Sequence, residues 1–530
     1  MTILIVIAIF FVSIAVRYWP IYHKGYSFGF AADNLILARN LSLTGEYKMD
    51  SEKNVVLSSE TVETKGIESE TGNKLTPVLE SKIFDIFGFS LNISLWISLI
   101  LYGIVSVLLF LLVFKLFNLQ IALIFSFLEL FSPLVLQQAI AAGFYEWAML
   151  FLTIALLIYL WKEKPNWVKL ILAGLFLGLA SLARNSFLII PIAFVVYDFI
   201  KNRSFKRVVI FILPVLMLWG AYLGPGIIKK GTVENVYVSG KENTSAYLHI
   251  FPDPYTWHFE RDAYVEKVKG ADFYNYDYSQ FLSKYGYPVS LKNKILMYWA
   301  SIVSYPKGLL AQTTIGGPFL IFFLVLGMFY LYRKNKSLLG LFVLWGIFTY
   351  LFLIAMASNH WGHFLSLELP IFLLISLGIY WLFQFIKKQD WKIYYKYLLI
   401  FGFLLVLFLH LIQSDKWMLH EGYLYSKIGD TMELVKIIES QKDKINKADD
   451  IIAVGSPNSQ APAILNWYTD FSYVYFDPAT VEKLLKENKL QWAFDQFGVT
   501  KILGYDKELT EEIIKATNVQ KLIIKELKID

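Results

Sequence analysis

The sequence predicts a polytopic α-helical membrane protein of about 11 transmembrane helices, N-terminus inside, with an outer C-terminal α/β domain. Three observations carry that expectation. Of 530 residues, 56% are hydrophobic and 17% charged, with mean hydropathy +0.50; a soluble chain of this length carries about 25% charge. Apolar runs recur at close to the ~20 residues a helix needs to cross a ~30 Å hydrocarbon core. And Lys and Arg concentrate in alternate connecting loops, as positive-inside orientation requires.

The apolar runs lie at roughly 2–19, 92–114, 119–137, 145–161, 168–183, 186–200, 208–225, 314–332, 338–357, 368–386 and 396–413. The fourth to sixth are short for a full crossing. One set of loops holds Lys115; Lys162, Lys164 and Lys169; Lys201, Arg203, Lys206 and Arg207; Arg333, Lys334 and Lys336; and Lys387, Lys388, Lys392 and Lys396. The other short loops, Gln137 to Tyr145, Arg184-Asn185 and Ser358 to Leu367, carry one Arg. This places the N-terminus in the cytoplasm and segments 20–91, 226–313 and 414–530 on the outer face. The division expected is a transmembrane domain over 1–415 and a soluble extracytoplasmic domain over 416–530. Thr2 to Val16 has neither a basic leader nor a small-residue cleavage site and reads as a retained first span.

Other classes of function are excluded or weakened by composition. There is no cysteine, so disulfides, thiol nucleophiles and thiolate metal sites are out. A net charge of +6 without a basic block gives nucleic acid no footprint. Aromatic residues, 17% of the chain, gather at span ends, where amphipathic rings suit the headgroup region.

The first outer loop divides. Residues 20–47 read as structured, whereas 48–76 are rich in Ser, Glu, Thr, Lys and Gly and read as an exposed loop or lid. From Val78 to Gly88 the pattern is a short amphipathic helix with a Gly stop, suited to the membrane interface. Segment 226–313 is polar and aromatic, read as short helices over the membrane domain. In the tail, Ile451 to Gly455, Tyr473 to Phe476, Lys501 to Gly504 and Lys521 to Ile524 read as strands; Pro478 to Asn488 and Glu508 to Thr517 read as helices. No G-x-G-x-x-G follows Gly455, which weighs against a nucleotide site.

Asp33 is the sole aspartate in the structured part of the first loop. It precedes a run of helix formers ending at Gly45, so it fits a helix N-cap. It also lies beside Arg39 and Asn40, in a loop against the outer leaflet, where a lipid-linked substrate would present its headgroup. Arg184 is a charge between two apolar segments, costly unless paired or solvated. A phosphate contact or a pair with Asp33 or Glu146 would each account for it. Glu146 begins a span, where the helix dipole favours an acid. Gly174 and Gly178 read as helix packing through small residues. His360 and His363 share a helical spacing but lack a third metal ligand. Lys74 sits in a polar loop, where a solvated lysine is the plain reading. Trp467, Tyr468 and Trp492 of the tail could stack on sugar rings or belong to its core.

The run Asp33-Asn-Leu-Ile-Leu-Ala38-Arg-Asn-Leu41-Ser-Leu-Thr-Gly45-Glu-Tyr47 resembles the first-loop signature of the GT-C superfamily of polytopic glycosyltransferases. That signature, roughly D-E-x-x-Y-x-x-x-A-x-x-L-x-x-x-G-x-Y, occurs in the protein O-mannosyltransferase and lipid A aminoarabinose transferase branches. Asn34 stands at the second acidic position and Leu37 at the aromatic one. Gly174 to Arg184 resembles the G-x-x-x-G-L-A-x-L-x-R turn of the same families. Asn359 to Pro370 resembles their R-Y-x-x-x-x-x-P stretch, with His363 in place of Arg, and Lys74-Leu-Thr-Pro77 loosely resembles a K-P-P run. Pro462 to Gly504 is similar to their outer C-terminal domain.

The resemblance implies a polyprenyl-phosphate sugar donor, dolichyl- or undecaprenyl-linked, and a glycan, lipid or protein acceptor. It makes Asp33 the general base on the acceptor hydroxyl, and Arg184, His363 and Lys74 contacts for the lipid phosphate. Glu146 becomes a second acidic candidate. No cofactor is assigned; a divalent metal is left open but unsupported, with Asn34 in place of a carboxylate. The lipid phosphate is the leaving group, so attack from the opposite side predicts inversion at the sugar carbon. The competing reading is a flippase or transporter of lipid-linked sugars. It would call for ionisable groups inside the spans, where Glu129 is the main one. A non-catalytic assembly factor is the third.

Overall fold

The computed structural model describes residues 2–24, 32–45, 56–57, 62–63, 75–139, 143, 145–161, 166–230, 318–356, 361–420, 433–446, 449–455, 465–466, 468–469, 471–476, 478–486 and 488–521. The expected aromatic segment 226–313 lies outside these residues beyond 230, and most of the expected lid at 48–76 does too. Within the latter only a short antiparallel pairing is described, β1 (Val56–Leu57) with β2 (Val62–Glu63).

Ahead of the tail the described elements, apart from β1 and β2, are helices: α1 (Thr2–Lys24), α2 (Ala32–Thr44), α3 (Leu75–Phe87), α4 (Leu91–Leu116), α5 (Leu119–Leu130), α6 (Pro133–Ala139) and α7 (Glu146–Leu160). Then follow α8 (Trp167–Ala183), α9 (Ile189–Asn202), α10 (Phe205–Lys230), α11 (Pro318–Lys334), α12 (Lys336–Met356), α13 (Glu368–Lys388) and α14 (Ile393–His420). Each apolar run expected as a span is helical over most of its described residues. Among the described residues six stretches are long and apolar enough to cross a membrane: Ile3–Ile21, Asn92–Leu116, Phe205–Tyr222, Lys336–Leu353, Phe364–Lys388 and Ile393–Gln413. We read the chain as an integral membrane protein. The run at 119–137 is not one helix. It breaks between α5 and α6, where Pro133 supplies no N–H and disfavours helical geometry at Ser132. Helix α7 has 15 residues and α9 has 14, so each spans roughly 21–23 Å at 1.5 Å per residue.

Polar caps start several helices. Ser90 accepts from Ile93 N at 3.2 Å, Asn118 from Ile121 N at 3.0 Å and Asn166 from Lys169 N at 3.0 Å, each satisfying an N–H that the helix cannot. Gly88, at φ +79, ends α3 as its position predicts. Helix α8 lies against α10 at near-backbone distance: a Cβ on Gly174 would overlap Phe211 O, and one on Gly178 would come within 2.7 Å of Leu218 Cδ1. The small-residue reading of these two glycines holds.

The basic loops share one end of the bundle. Lys115, closing α4, lies 5.5 Å from the Trp161 ring that closes α7. Tyr197 near the end of α9 bonds Ser337 at the start of α12 at 2.6 Å, and Arg207 pairs with Asp198 at 2.9 Å. Inside the bundle the charge inventory differs from expectation. Glu129 does not stand alone: Arg17, from within the first span, pairs with it, and both are buried. Ser106 donates to Glu129 Oε1 at 2.9 Å, Arg17 also bonds Ser13, and its guanidinium lies 5.5 Å from the Tyr102 ring.

The tail is α/β, as expected. Strands β3 (Ile451–Val454), β4 (Ser472–Tyr475), β5 (Val499–Leu503) and β6 (Gln520–Lys521) form a parallel sheet in the order β4-β3-β5-β6. Helices α15 (Pro478–Lys486), α16 (Leu490–Phe497) and α17 (Lys507–Ala516) connect them. Alternation with period two sends Ala453, Val474 and Ile502 to one face, under α15 to α17. Ile452, Val454, Tyr473 and Leu503 go to the other, under the helix at 433–441. Over the end of β3 the ring of Tyr505 occupies the space a Cβ on Gly455 would need, and its hydroxyl bonds Phe476 O at 2.9 Å.

Candidate active site

At the end of the bundle away from the basic loops, four segments meet: the start of α2, helix α3, the turn at 143–147 and the turn at Arg184. The turn at Gly143 is the centre. Its φ of +83 is the left-handed region, and a Cβ there would come within 2.8 Å of Leu35 Cδ2, so both backbone and space call for glycine. The Gly143 carbonyl accepts from Asn34 Nδ2 at 2.8 Å. The Gly143 N–H donates to Glu146 Oε1 at 2.6 Å, and the Tyr145 N–H to Glu146 Oε2 at 3.0 Å. Glu146 is fully buried in the first turn of α7. Its carboxylate thus closes the turn with two charge-assisted bonds, beside a helix N-terminus that favours it.

Arg184 follows α8 in extended backbone geometry. Its guanidinium lies 4.6 Å from the centre of the Tyr145 ring, and Nη2 donates to the Tyr145 hydroxyl at 3.2 Å. The turn therefore bridges Asn34 on one side and Arg184 on the other. Thr76 Oγ1 donates to Ala183 O at 3.1 Å, which fastens α3 beside Arg184.

Helix α3 brings a residue the motifs did not flag. Its buried face is Thr76, Pro77, Glu80, Ser81 and Phe84, while Ile86 and Phe87 are exposed, the arrangement of a helix lying at an interface. Glu80 is fully buried and accepts from Trp147 Nε1 at 2.8 Å. Burial first, then the neighbouring charge of Glu146, push its carboxyl up to about 8, against the opposing bond from Trp147. The signal was present in the sequence: Thr76, Glu80 and Phe84 follow each other at i, i+4, i+8, which puts an acid on the packed face.

The expected site residues are placed as follows. Asp33 lies inside the first turn of α2 rather than before it, so the N-cap position passes to an earlier residue; its side chain lies outside the described residues. Its neighbour Asn34 contacts the same turn as Glu146 and Arg184. The run after Asp33 is not amphipathic in place: residues 34–40 are all buried, because α3, the Gly143 turn and the tail cover it. Arg39 reaches the tail, donating to Asn466 O at 3.1 Å and Asn466 Oδ1 at 2.8 Å. Lys74 and His360 lie outside the described residues. The backbone of His363 lies in a 3-10 turn, Trp361–Leu367, which packs against the 3-10 turn Asn185–Phe187 next to Arg184; its side chain is outside the described residues. Tyr468 is half-buried and packs on the tail core, Trp492 is exposed, and Trp467 lies outside the described residues. Among the described residues no group of three or more His, Asp or Glu could hold a metal ion.

Comparison with known proteins fits this arrangement. Residues 76–222 match the family model described as dolichyl-phosphate-mannose-protein mannosyltransferase, a stretch that holds Glu80, Glu146 and Arg184 and begins after Asp33. The fold is that of the Archaeoglobus fulgidus oligosaccharyltransferase in its apo form, at TM-score 0.55 and 12% identity, over 94% of this chain and 69% of that one. The same fold is found in archaeal oligosaccharyltransferase AglB from Archaeoglobus fulgidus in complex with an inhibitory peptide and a dolichol-phosphate. There the TM-score is 0.56 at 12% identity, over 94% of this chain and 68% of that one. ArnT from Cupriavidus metallidurans bound to undecaprenyl phosphate is similar at TM-score 0.48 and 10% identity, over 98% of this chain and 89% of that one. No curated protein matches by sequence. The resemblance to GT-C glycosyltransferases expected from the motifs is borne out.

Proposed function

We propose that this protein is an inverting glycosyltransferase that moves a sugar from a polyprenyl-phosphate donor to an acceptor hydroxyl at the outer membrane face. The observation that carries the reading is the shared Gly143–Glu146 turn, which holds the start of α2 on one side and Arg184 on the other. The match of residues 76–222 to a dolichyl-phosphate-mannose-dependent family supports the donor class. The dolichol-phosphate in the AglB complex belongs to the same class.

The chemistry follows from the donor. A polyprenyl-phosphate sugar is already activated, so the protein must stabilise the phosphate as its charge develops and remove one proton from the acceptor. Arg184 supplies fixed positive charge, oriented by Tyr145 beneath it. Lys74 and His363 are the further phosphate contacts in this reading. Asp33 takes the acceptor proton as the hydroxyl attacks the sugar carbon from the side opposite the phosphate. Glu146 shapes the turn between them. The bond to phosphate breaks as the bond to the acceptor oxygen forms, and the configuration inverts. Basic loops gathered at the other end of the bundle support, by the positive-inside tendency, a reading with the site and the tail outside.

The test is transfer in reconstituted vesicles from a polyprenyl-phosphate sugar to glycan, lipid and peptide acceptors, with the product's anomeric configuration read by NMR. A new glycosidic bond of inverted configuration, formed by wild type and lost in Asp33→Asn, is expected. Retention of configuration, or wild-type rates in a normally inserted Asp33→Asn protein, overturns the assignment.

A further inference from the structure

The helix that carries Asp33 is held from both sides of the molecule. On the membrane side, Asn34 bonds the Gly143 carbonyl. Ser42, near the other end of α2, donates to Asp85 of α3 at 2.6 Å. On the tail side, Arg39 bonds Asn466, 427 positions away in sequence. Arg39 is 1% exposed and Asn466 also 1%, so water does not compete for these bonds. Asn466 is used from end to end. Its carbonyl and side-chain oxygens accept from Arg39, while its Nδ2 donates to Phe471 O at 2.8 Å, one residue before β4. Its neighbour Leu465 is buried in the tail core with Ile452, Val454 and Tyr473. A planar guanidinium donating to two oxygens of one residue fixes orientation as well as distance. Arg39 is two turns along α2 from Asp33.

We propose that the Arg39–Asn466 contact is a latch through which the C-terminal domain positions α2, making Arg39 and Asn466 positioning residues for the reaction and the tail a working part of the active site. The proposal rests on the functional reading above. It differs from a tail that only recruits acceptor: a recruiting domain would set acceptor affinity, whereas this latch sets the rate at saturating acceptor. It also gives the tail a route to act on the site. Whatever displaces the Leu465–Thr469 segment displaces the partner of Arg39.

The test uses the full-length protein in nanodiscs with Asn466→Ala, which leaves α2 itself intact, and Arg39→Lys, which keeps the charge and one donor direction. Amide hydrogen exchange is followed over 34–44 and 471–476, and transfer is measured with varied donor and acceptor. Asn466→Ala should raise exchange in α2 about 10- to 100-fold, the effect of removing buried bonds to a charged group. It should lower kcat about tenfold or more, with both KM values within about twofold, and Arg39→Lys should fall between. Unchanged α2 exchange overturns the latch. So does faster α2 exchange with kcat unchanged, which leaves only a structural tether, or a loss confined to acceptor KM. If wild type transfers nothing from any polyprenyl-phosphate donor, the functional reading fails on its own. The exchange measurement then still decides whether the tail orders α2.

Discussion

Two buried acidic regions of this molecule are built differently. In the bundle interior, Glu129 is paired with Arg17, takes a bond from Ser106, and is enclosed by α1, α4 and α5. At the end of the bundle away from the basic loops, Glu146 is held by backbone N–H groups, Glu80 by an indole, and Arg184 is stacked on a tyrosine. The interior pair brings its charges together and spends them on packing. The contacts described at the other end come instead from backbone N–H groups, an indole and a tyrosine ring, which fix the orientation of each side chain. Charge inside a membrane protein is thus not a sufficient sign of transport, and here the interior pair needs no transport function to account for it.

That contrast can be broken most sharply at Asp33. Asp33→Asn should lower transfer by about 10²- to 10⁴-fold, the range of a lost general base, with insertion and thermal stability unchanged in nanodiscs. Arg17→Met should do the reverse. Leaving Glu129 buried without its cation should cost about 3–5 kcal/mol, read as a lower Tm. Arg17→Met/Glu129→Met should recover most of it, with the rate per folded molecule unaltered. Arg184→Ala should reduce kcat by about 10²-fold, and Arg184→Lys should restore part of it, since charge returns without the planar stack. The smallest effect is expected at Glu80. Its carboxyl binds a proton more tightly folded than unfolded, so its stabilising contribution is complete below the ordinary value of 4.5 and declines as pH rises through about 8. Glu80→Gln should flatten the Tm-against-pH curve in that window; an unchanged slope would mean another group sets it.

Much of the architecture was legible because it follows from periodicity and punctuation. Gly88 stops α3, and alternation in Ile451 to Val454 and Tyr473 to Tyr475 marks a sheet covered on both faces, whereas the break at Pro133 was passed over within one apolar run at 119–137. Arg184 was legible as a charge with no apolar reason to be there. What escaped was set by distant partners. The sequence around Arg39 names no partner for it, and its bonds to Asn466 come from 427 positions away. Arg17 looks like a residue near the end of the first span until Glu129 is brought to it. Glu80 was available from the i, i+4 spacing of Thr76, Glu80 and Phe84, but a short interfacial helix does not announce which of its faces is dry.

The crossing of α11 and α13 has a bearing on access. A Cβ on Gly327 would overlap Leu374 O, and one on Gly378 would overlap Phe323 O, so each helix lies with its backbone against the other's at two points four residues apart in register. Two main chains in direct contact have no slack to give. They can turn only as one body, a fixed post in a wall whose other members meet through side chains that can change rotamer. If the donor is of the proposed polyprenyl-phosphate class, its isoprenoid tail would have to reach the Arg184 turn by a path other than between these two helices.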